Sequence, residues 1–226
     1  MEMDDRLTKR LVELKKQIEL YKTIWVMTAK ADGGALFPLD LLSTAVTHRA
    51  MCLISGFCDM IAKENFVCAA PLVRLLIDCL LRFYAAWLVD DAHELAIQVL
   101  AGTDLRRIRD RGGNKMTDRY LCEQLAQEYP WIKGLYRQTA GYVHLSSKHF
   151  FNTIREVHEE DRSITTAIGE SDTSIAPEIY EEAVDAMLQV STAVLRYLHG
   201  WGYTKDSKGI ASQFRLRNTD GEIRPS

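Results

Sequence analysis

The chain has 226 residues, 47% of them hydrophobic, which is enough to bury a full hydrophobic core. Its 28 Lys and Arg residues nearly balance 31 Asp and Glu residues, and the formal net charge is −3 at pH 7. This balance excludes a global positive field that would draw nucleic acid or anionic lipid to the whole surface, so any such contact requires a local basic patch.

Hydrophobic periodicity predicts a long amphipathic helix over residues 3–29, which the sequence ADGGALFP ends, and a second helix over 39–63. The third helix lies in the apolar run 66–89 and is expected to begin near Pro71, because proline is tolerated in a first turn. That run has the length of a membrane span, but its three central charges favour a buried helix of a soluble bundle. A short fourth helix follows over 90–102.

Residues 103–119 form the only markedly basic stretch and are predicted to be a loop. Its arginines and glycine amides are one candidate for contact with phosphate or RNA, and a solvated loop is the alternative. The cations that would contact RNA are Arg106, Arg107, Arg109, Arg111 and Lys115. Helix resumes over 117–129 with Thr117 as its N-cap, and Pro130 introduces a helix that carries YRQTAGYVHLSSKHF, residues 136–150.

The pattern changes after His149. β-Branched runs on either side of the polar HEEDR predict a small hairpin at about 150–168, and Pro177 begins the last long helix. We therefore predict an all-α fold, a helical bundle of about six to eight helices with a small β-hairpin inserted before the last long helix. Residues 1–202 would form a single domain, and 203–226 a polar tail that is disordered or loosely packed.

The first candidate site is a charged stripe in the third helix. Arg74, Asp78 and Arg82 are spaced i, i+4 and i+8, which places two guanidinium groups on either side of one carboxylate. Their flanks are apolar, so charges buried there need one another or a ligand. The stripe is either a paired network that fixes the register of the bundle or a polar ligand site in its core.

The second candidate site lies in YRQTAGYVHLSSKHF. Arg137 and His144 are expected on one helical stripe, with Ala140 or Gly141 between them. Histidine can shuttle protons near neutral pH and arginine can bind a phosphate, so the pair suffices in principle for metal-independent cleavage of RNA. The alternative is that His144 hydrogen-bonds a tyrosine or a backbone carbonyl while Arg137 lies on the surface.

No other motif indicates a cofactor or a metal. The sequence lacks a Walker A loop, a dinucleotide-binding glycine fingerprint, a nucleophile elbow and the H-E-x-x-H zinc motif. The acidic HEED, residues 158–161, is interpreted as a solvated turn at the hairpin tip. The five cysteines show no metal-ligand spacing and are interpreted as small core residues of a protein in the reducing cytosol. The charged N-terminal sequence lacks the apolar centre of a signal peptide. We predict no cofactor and a cytoplasmic location.

Two stretches, PLVRLLIDCLLRFYAAWLVDD and YRQTAGYVHLSS, resemble a broad group of uncharacterised, mostly bacterial helical proteins. That group has an arginine, three intervening residues and an acidic residue in an apolar helix, and then a later helix with a tyrosine, a small residue and a histidine. Asp78 stands where a glutamate is expected, and Ala140 where a serine is usual. The residues that the resemblance singles out are Arg74, Asp78, Tyr136, His144 and Ser146.

The chain is also similar to the HEPN superfamily of helical bundles, whose R-x4-6-H motif acts in RNA cleavage or nucleotide binding, often across a dimer interface. Arg137 and His144 have six residues between them, which is the longest spacing that this motif allows. Gln138 supplies the polar residue that usually follows the arginine. Gly141 inside the motif and the acidic balance of the chain depart from the pattern. This similarity implies a metal-independent ribonuclease or a nucleotide-binding protein, and it leaves a homodimer open.

From the sequence we therefore expect a soluble helical protein that binds a small molecule or a protein partner through a polar core site. The residues assigned to this site are Arg74, Asp78, Arg82, Tyr136 and Ser146. The competing hypothesis is a HEPN-like ribonuclease, in which Arg137 binds the scissile phosphate and His144 is the general acid or base. A ribonuclease requires both residues to reach solvent together in a groove, whereas the first hypothesis directs His144 inward at Arg74 and Asp78.

Overall fold

The structure is a computed structural model, and it describes residues 5–144, 146–172, 175–206, 214–216 and 223–225. Within these ranges it contains eight α-helices and two small antiparallel hairpins, one of them directly before the last long helix. The predicted fold class is confirmed. The helices are α1 (Asp5–Lys30), α2 (Pro38–Ala62), α3 (Phe66–Tyr84), α4 (Ala92–Leu100), α5 (Asp118–Leu125), α6 (Ile132–Val143), α7 (Ser147–Thr153) and α8 (Pro177–Lys205).

The helix α3 lies at the centre of the bundle, where it packs against α2, α5, α6 and α8. The buried residues of this helix are all hydrophobic, and Leu76, Ile77 and Leu80 are completely buried. The long helices α1 and α8 pack along each other and close the bundle on one side. The central position of α3 explains why its three charged residues must find partners close by.

The start of α3 differs from the prediction. The helix begins at Phe66, well before Pro71, and the side chain of Asn65 accepts a hydrogen bond from the backbone N–H of Cys68 at 3.1 Å. Asn65 is therefore the N-cap, and Pro71 lies inside the helix, where it removes one backbone hydrogen bond. The predicted start near Pro71 was wrong because packing of the apolar residues around Pro71 outweighs this local loss.

The helix that was predicted to carry YRQTAGYVHLSSKHF is broken in two. The first part, α6, ends at Val143, and His144 has an extended backbone with φ −118° and ψ 150°. Ser146 precedes α7; its hydroxyl donates to the carbonyl of Gly141 at 2.6 Å, and its backbone N–H donates to Nδ1 of His149 at 3.2 Å. The continuous helical stripe from Arg137 to His144 was therefore a wrong prediction.

The first hairpin comprises β1 (Ile154–His158) and β2 (Ser163–Thr166), which pair antiparallel with a bulge in β1. It is shorter than the predicted 150–168, because the chain up to Thr153 belongs to α7. The second hairpin joins β3 (Phe214–Leu216) and β4 (Ile223–Pro225). The helix α8 continues to Lys205, and the predicted loose packing of the tail falls largely on residues that lie outside the described ranges.

Buried polar contacts join the ends of α1, α2 and α8. Nζ of Lys205 lies 2.8 Å from Oδ2 of Asp40 and donates to the carbonyl of Thr28 at 3.0 Å, and Nε1 of Trp201 donates to Oδ1 of Asp40 at 2.8 Å. The side chains of Lys205 and Asp40 are only 2% and 8% exposed. Because neither charge can be buried without the other, this ion pair fixes the C-terminal end of α8.

Among the described residues, one helix, α2, is long and apolar enough to cross a membrane. It packs against α1, α3 and α4, and buried core helices of soluble proteins meet the same criteria. The helix α3 lies in the apolar run 66–89, which has the length of a membrane span, but α3 does not meet these criteria. The structure is thus compatible with the soluble protein that the sequence predicts.

Candidate functional site

The site is organised by Asp118, the first residue of α5. Thr117 precedes it as the N-cap, and its hydroxyl accepts a hydrogen bond from the backbone N–H of Tyr120 at 3.2 Å, as predicted. The cap fixes where α5 begins beside α3. The cap therefore determines which residues of α3 lie next to the Asp118 carboxylate.

The carboxylate of Asp118 accepts hydrogen bonds from three side chains. Nη1 of Arg82 donates at 2.7 Å, the hydroxyl of Tyr136 at 3.1 Å and Nη2 of Arg74 at 3.5 Å. Nη2 of Arg82 also lies 2.9 Å from Oδ1 of Asp78, one helical turn away. We call these five residues, Arg74, Asp78, Arg82, Asp118 and Tyr136, the polar cluster.

Arg74 is the most enclosed charge of the polar cluster, with 15% of its side chain exposed. Its guanidinium group lies over the ring of Tyr136, 3.8 Å from the ring centroid. Arg74 is therefore held by a cation–π contact on one side and by the Asp118 carboxylate on the other. Tyr136 supports the same carboxylate through its hydroxyl, so α3, α5 and α6 are joined at one point.

The ladder that was predicted within α3 forms only in part. Asp78 pairs with Arg82 as expected, but Arg74 contacts Asp118 and Tyr136 instead of completing the ladder on Asp78. Sequence reasoning therefore found four residues of the polar cluster and missed its centre. The available signal was that Asp118 directly follows the N-cap of a helix. Acidic residues in the first turn are already favoured by the helix dipole, so this position alone did not indicate a contact with α3.

Burial and charge act in opposite directions on the titration of the polar cluster. Burial alone would raise the pKa of Asp118, but the hydrogen bond and charge of Arg82 outweigh it and lower that pKa below its ordinary value. Burial would lower the pKa of Arg82, yet Asp78 and Asp118 raise it. The pKa of Tyr136 is raised, mainly by burial. These three groups therefore keep one protonation state around neutral pH.

A cleft of about 380 Å³ opens beside the polar cluster, between α3, α4, α5 and the short 3-10 helix Leu105–Arg107. Arg82 and Asp118 belong both to the polar cluster and to the wall of this cleft. The remaining wall residues are Val99, Thr103, Asp104, Leu105 and Arg106. The cleft therefore combines two guanidinium groups, two carboxylates and a hydroxyl with an apolar side.

Most of the predicted RNA-contacting cations are held by intramolecular contacts. Arg106 pairs with Asp104 and lowers the pKa of that carboxyl to about 2. Nη1 of Arg109 donates to the carbonyl of Gly113, and Nη2 of Arg111 donates to two carbonyls that follow α3. All five cations nevertheless have exposed side chains, namely Arg106, Arg107, Arg109, Arg111 and Lys115.

Arg137 and His144 are both exposed. Neither makes a hydrogen bond or an ion pair with the polar cluster, and the structure does not bring His144 to Arg74 or Asp78. Ser146 does not join the polar cluster either, since its hydroxyl is used to connect α7 to α6. Of the predicted polar-site residues, the structure thus brings together Arg74, Asp78, Arg82 and Tyr136.

The described residues contain no group of three or more His, Cys, Asp or Glu side chains placed to hold a metal ion. A comparison of the chain with protein-family models, with curated proteins and with solved structures found no match.

Proposed function

We propose that this protein binds a small polar ligand in the cleft beside the polar cluster. The observation that carries the proposal is that Arg82 and Asp118 are shared: each is anchored in the polar cluster and also forms part of the cleft wall. Anchored charges of this kind present fixed hydrogen-bonding geometry to a ligand without a loss of side-chain entropy on binding.

The composition of the cleft indicates the class of ligand. Arg82 and Arg106 offer donors, Asp118 and Asp104 offer acceptors, and Val99 lies on the apolar side. The two charges of each sign cancel, so the cleft favours a ligand that has both donors and acceptors over a simple anion. A volume of about 380 Å³ lies within the range of small-molecule sites.

The titration behaviour favours binding over acid–base catalysis at this place. General acid–base catalysis works best when the pKa of the catalytic group lies near the working pH. The pKa values of Asp118, Arg82 and Tyr136 are all displaced away from neutrality. The polar cluster therefore supplies fixed charges for recognition and is unsuited to moving a proton at neutral pH.

The proposal is tested by thermal shift against a panel of small polar molecules that includes AMP, ATP, arginine, glutamate and inorganic phosphate. Binding is then measured by calorimetry with wild type, Arg106→Gln and Arg107→Gln. Both arginines are exposed neighbours, but only Arg106 lines the cleft. We expect Arg106→Gln to weaken binding about tenfold, the loss of one charge-assisted hydrogen bond, and Arg107→Gln to leave it unchanged. Equal affinity in all three proteins contradicts the proposed site.

A second candidate function is favoured by the placement of Arg137 and His144. Both side chains are exposed, and a HEPN-like ribonuclease requires this pair to reach solvent together in a groove. In this alternative Arg137 binds the scissile phosphate and His144 transfers a proton, while the exposed cations of residues 106–115 contact the RNA backbone.

The ribonuclease alternative is tested by incubating a mixed panel of labelled RNAs with the protein in EDTA. Wild type is compared with His144→Ala and Arg137→Ala, and with Lys133→Ala as a control on the same helix, also exposed. Cleavage that both site variants abolish and the control retains supports this function. An inert wild type, or cleavage that persists in His144→Ala, contradicts it.

For either function we propose a cytoplasmic location, which the five free cysteines support.

A further inference from the structure

A groove separate from the cleft lies between α6 and α8, which both pack against α3. Side chains of all three helices line this groove, and its volume is about 90 Å³. Three of the lining residues are alanines, namely Ala70 in α3 and Ala183 and Ala186 in α8. Packed helices normally fill such a space with side chains. Because methyl groups line it here, the groove has room for a small ligand.

The rest of the lining is mostly apolar. Phe66 and Tyr142 both line the groove, and their rings meet edge to face with centroids 5.4 Å apart. Leu135 and Ile179 add aliphatic surface. An apolar cavity of about 150 Å³ holds benzene, which has about six carbon atoms. By the same ratio, this groove accommodates an apolar body of about four carbon atoms.

One carboxylate without an ion-pair partner adjoins this apolar surface. Of the described residues that line the groove, only Glu182 carries a charge, and its side chain is exposed. The nearby acidic residues of α8 are paired with α1: Glu181 lies 3.2 Å from Arg6. Asp185 lies 3.3 Å from Arg10. The described part of the chain places no such cation at Glu182, so its charge is available to a ligand.

The charge of Glu182 acts across the groove. Glu182 belongs to α8, whereas Tyr142 belongs to α6. The pKa of the Tyr142 hydroxyl is raised mainly by burial and in addition by the charge of Glu182. A field that disfavours a second negative charge in the groove also disfavours an anionic ligand and favours a cation.

We propose that the groove between α6 and α8 binds a small organic cation, an ammonium group on an apolar chain of about four carbon atoms. The chain packs against the alanines and the aromatic rings, and the ammonium group pairs with the carboxylate of Glu182. This site is independent of the cleft beside the polar cluster, since no residue lines both.

NMR chemical-shift titration at pH 7 tests the charge and the size of the ligand, with butylammonium, butanol, methylammonium and butyrate as probes. We expect butylammonium to bind most tightly, because it alone has both the apolar chain and the positive charge. Butanol and methylammonium each lack one of these and should bind about fivefold more weakly, and butyrate should bind most weakly of all. Butyrate that binds as tightly as butylammonium, or butylammonium that does not bind, overturns the proposal.

Variants of two adjacent carboxylates locate the ammonium group. Glu182→Gln keeps the shape of the side chain and removes its charge, so it should weaken butylammonium binding about fivefold and leave butanol binding unchanged. Glu181→Gln removes the carboxylate that pairs with Arg6 and does not line the groove, and it should change neither. Equal binding of butylammonium by the wild type and by Glu182→Gln overturns the proposal.

Filling the groove tests its apolar part. Ala183→Leu places a larger side chain in the groove and should abolish the binding of butylammonium and butanol. Gln189→Leu adds the same side chain at an exposed position of α8 that does not line the groove, and it should bind both as the wild type does. Thermal unfolding verifies that each variant is folded. A folded Ala183→Leu that binds butylammonium like the wild type overturns the proposal.

Discussion

The carboxylate of Asp118 in α5 lies 2.7 Å from Nη1 of Arg82 in α3, although the two residues are 36 positions apart along the chain. This contact connects the buried centre of the bundle to the cleft wall. It also gives Arg82 a second carboxylate in addition to Asp78, so that a half-buried cation is paired from two sides. The stability of the fold and the geometry of the cleft therefore depend on the same pair.

We expect Asp118→Asn to lower the free energy of unfolding by about 1–3 kcal/mol, because Asn keeps the shape of the side chain but leaves Arg82 and Arg74 without their shared charge. Urea denaturation measures the difference. The matched control is Glu123→Gln on the same helix, whose carboxylate pairs with the exposed Arg119. A surface pair contributes about 0–1 kcal/mol, and equal losses in the two variants would show that the charge of Asp118 stabilises the fold no more than an exposed ion pair does.

The contribution of Asp118 is expected to disappear in acid. Its pKa in the folded protein is lowered from an ordinary value of 3.8, so the folded state favours the charged form. The resulting stabilisation is fully present above pH 3.8 and is lost as the pH falls through the lower folded value. The stability difference between wild type and Asp118→Asn should therefore be constant from pH 7 to about pH 5 and shrink below pH 4. A difference that grows on acidification contradicts this assignment.

Periodicity in the sequence predicted the long helices α1, α2 and α8 closely, because their burial follows a repeated spacing of apolar residues. It failed at two places where local and tertiary effects compete. Pro71 suggested the start of a helix that in fact begins at Phe66. The run from Arg137 onwards suggested a helix that continues through His144, but α6 ends at Val143. In both cases the boundary depends on capping and packing contacts that periodicity does not contain.

The polar cluster was predictable only within one helix. Arg74, Asp78 and Arg82 share a stripe of α3, so their spacing showed that they belong together. Asp118 comes from another helix, and a single sequence does not indicate which α5 residue would face α3. The same holds for Lys205, which falls within the predicted tail but contacts Asp40 in α2.

Two glycines in helices are expected to respond in opposite ways to alanine. A Cβ atom at Gly202 would lie 2.5 Å from Cε of Met27 and 2.6 Å from Oγ1 of Thr28, so α8 needs a glycine where it crosses α1. We expect Gly202→Ala to destabilise the protein by about 1–3 kcal/mol. Gly134 in α6 has nothing within 4 Å of that position, and Gly134→Ala should stabilise by about 0.5–1 kcal/mol. Thermal unfolding measures both, and a stabilised Gly202→Ala contradicts the close crossing.

The ion pair of Lys205 and Asp40 should be among the most sensitive places in the fold. We expect Lys205→Met to cost about 3–5 kcal/mol, because it leaves a buried carboxylate without its cation. Asp40 also accepts hydrogen bonds from the backbone N–H of Phe37 and from Trp201, and Asn can keep an acceptor for either group. The double variant with Asp40→Asn should therefore lose less stability than the sum of the two single variants.

The control for this cycle is Lys9→Met, since Lys9 forms an exposed pair with Asp5 on α1. Its removal should change the free energy of unfolding by at most about 1 kcal/mol. If Lys205→Met costs no more than Lys9→Met, the end of α8 is not held by the ion pair. If the single variants are strictly additive in the double variant, the two charges are not coupled. Coupling together with a large single loss would show that this contact, formed between the start of α2 and the last turn of α8, closes the bundle.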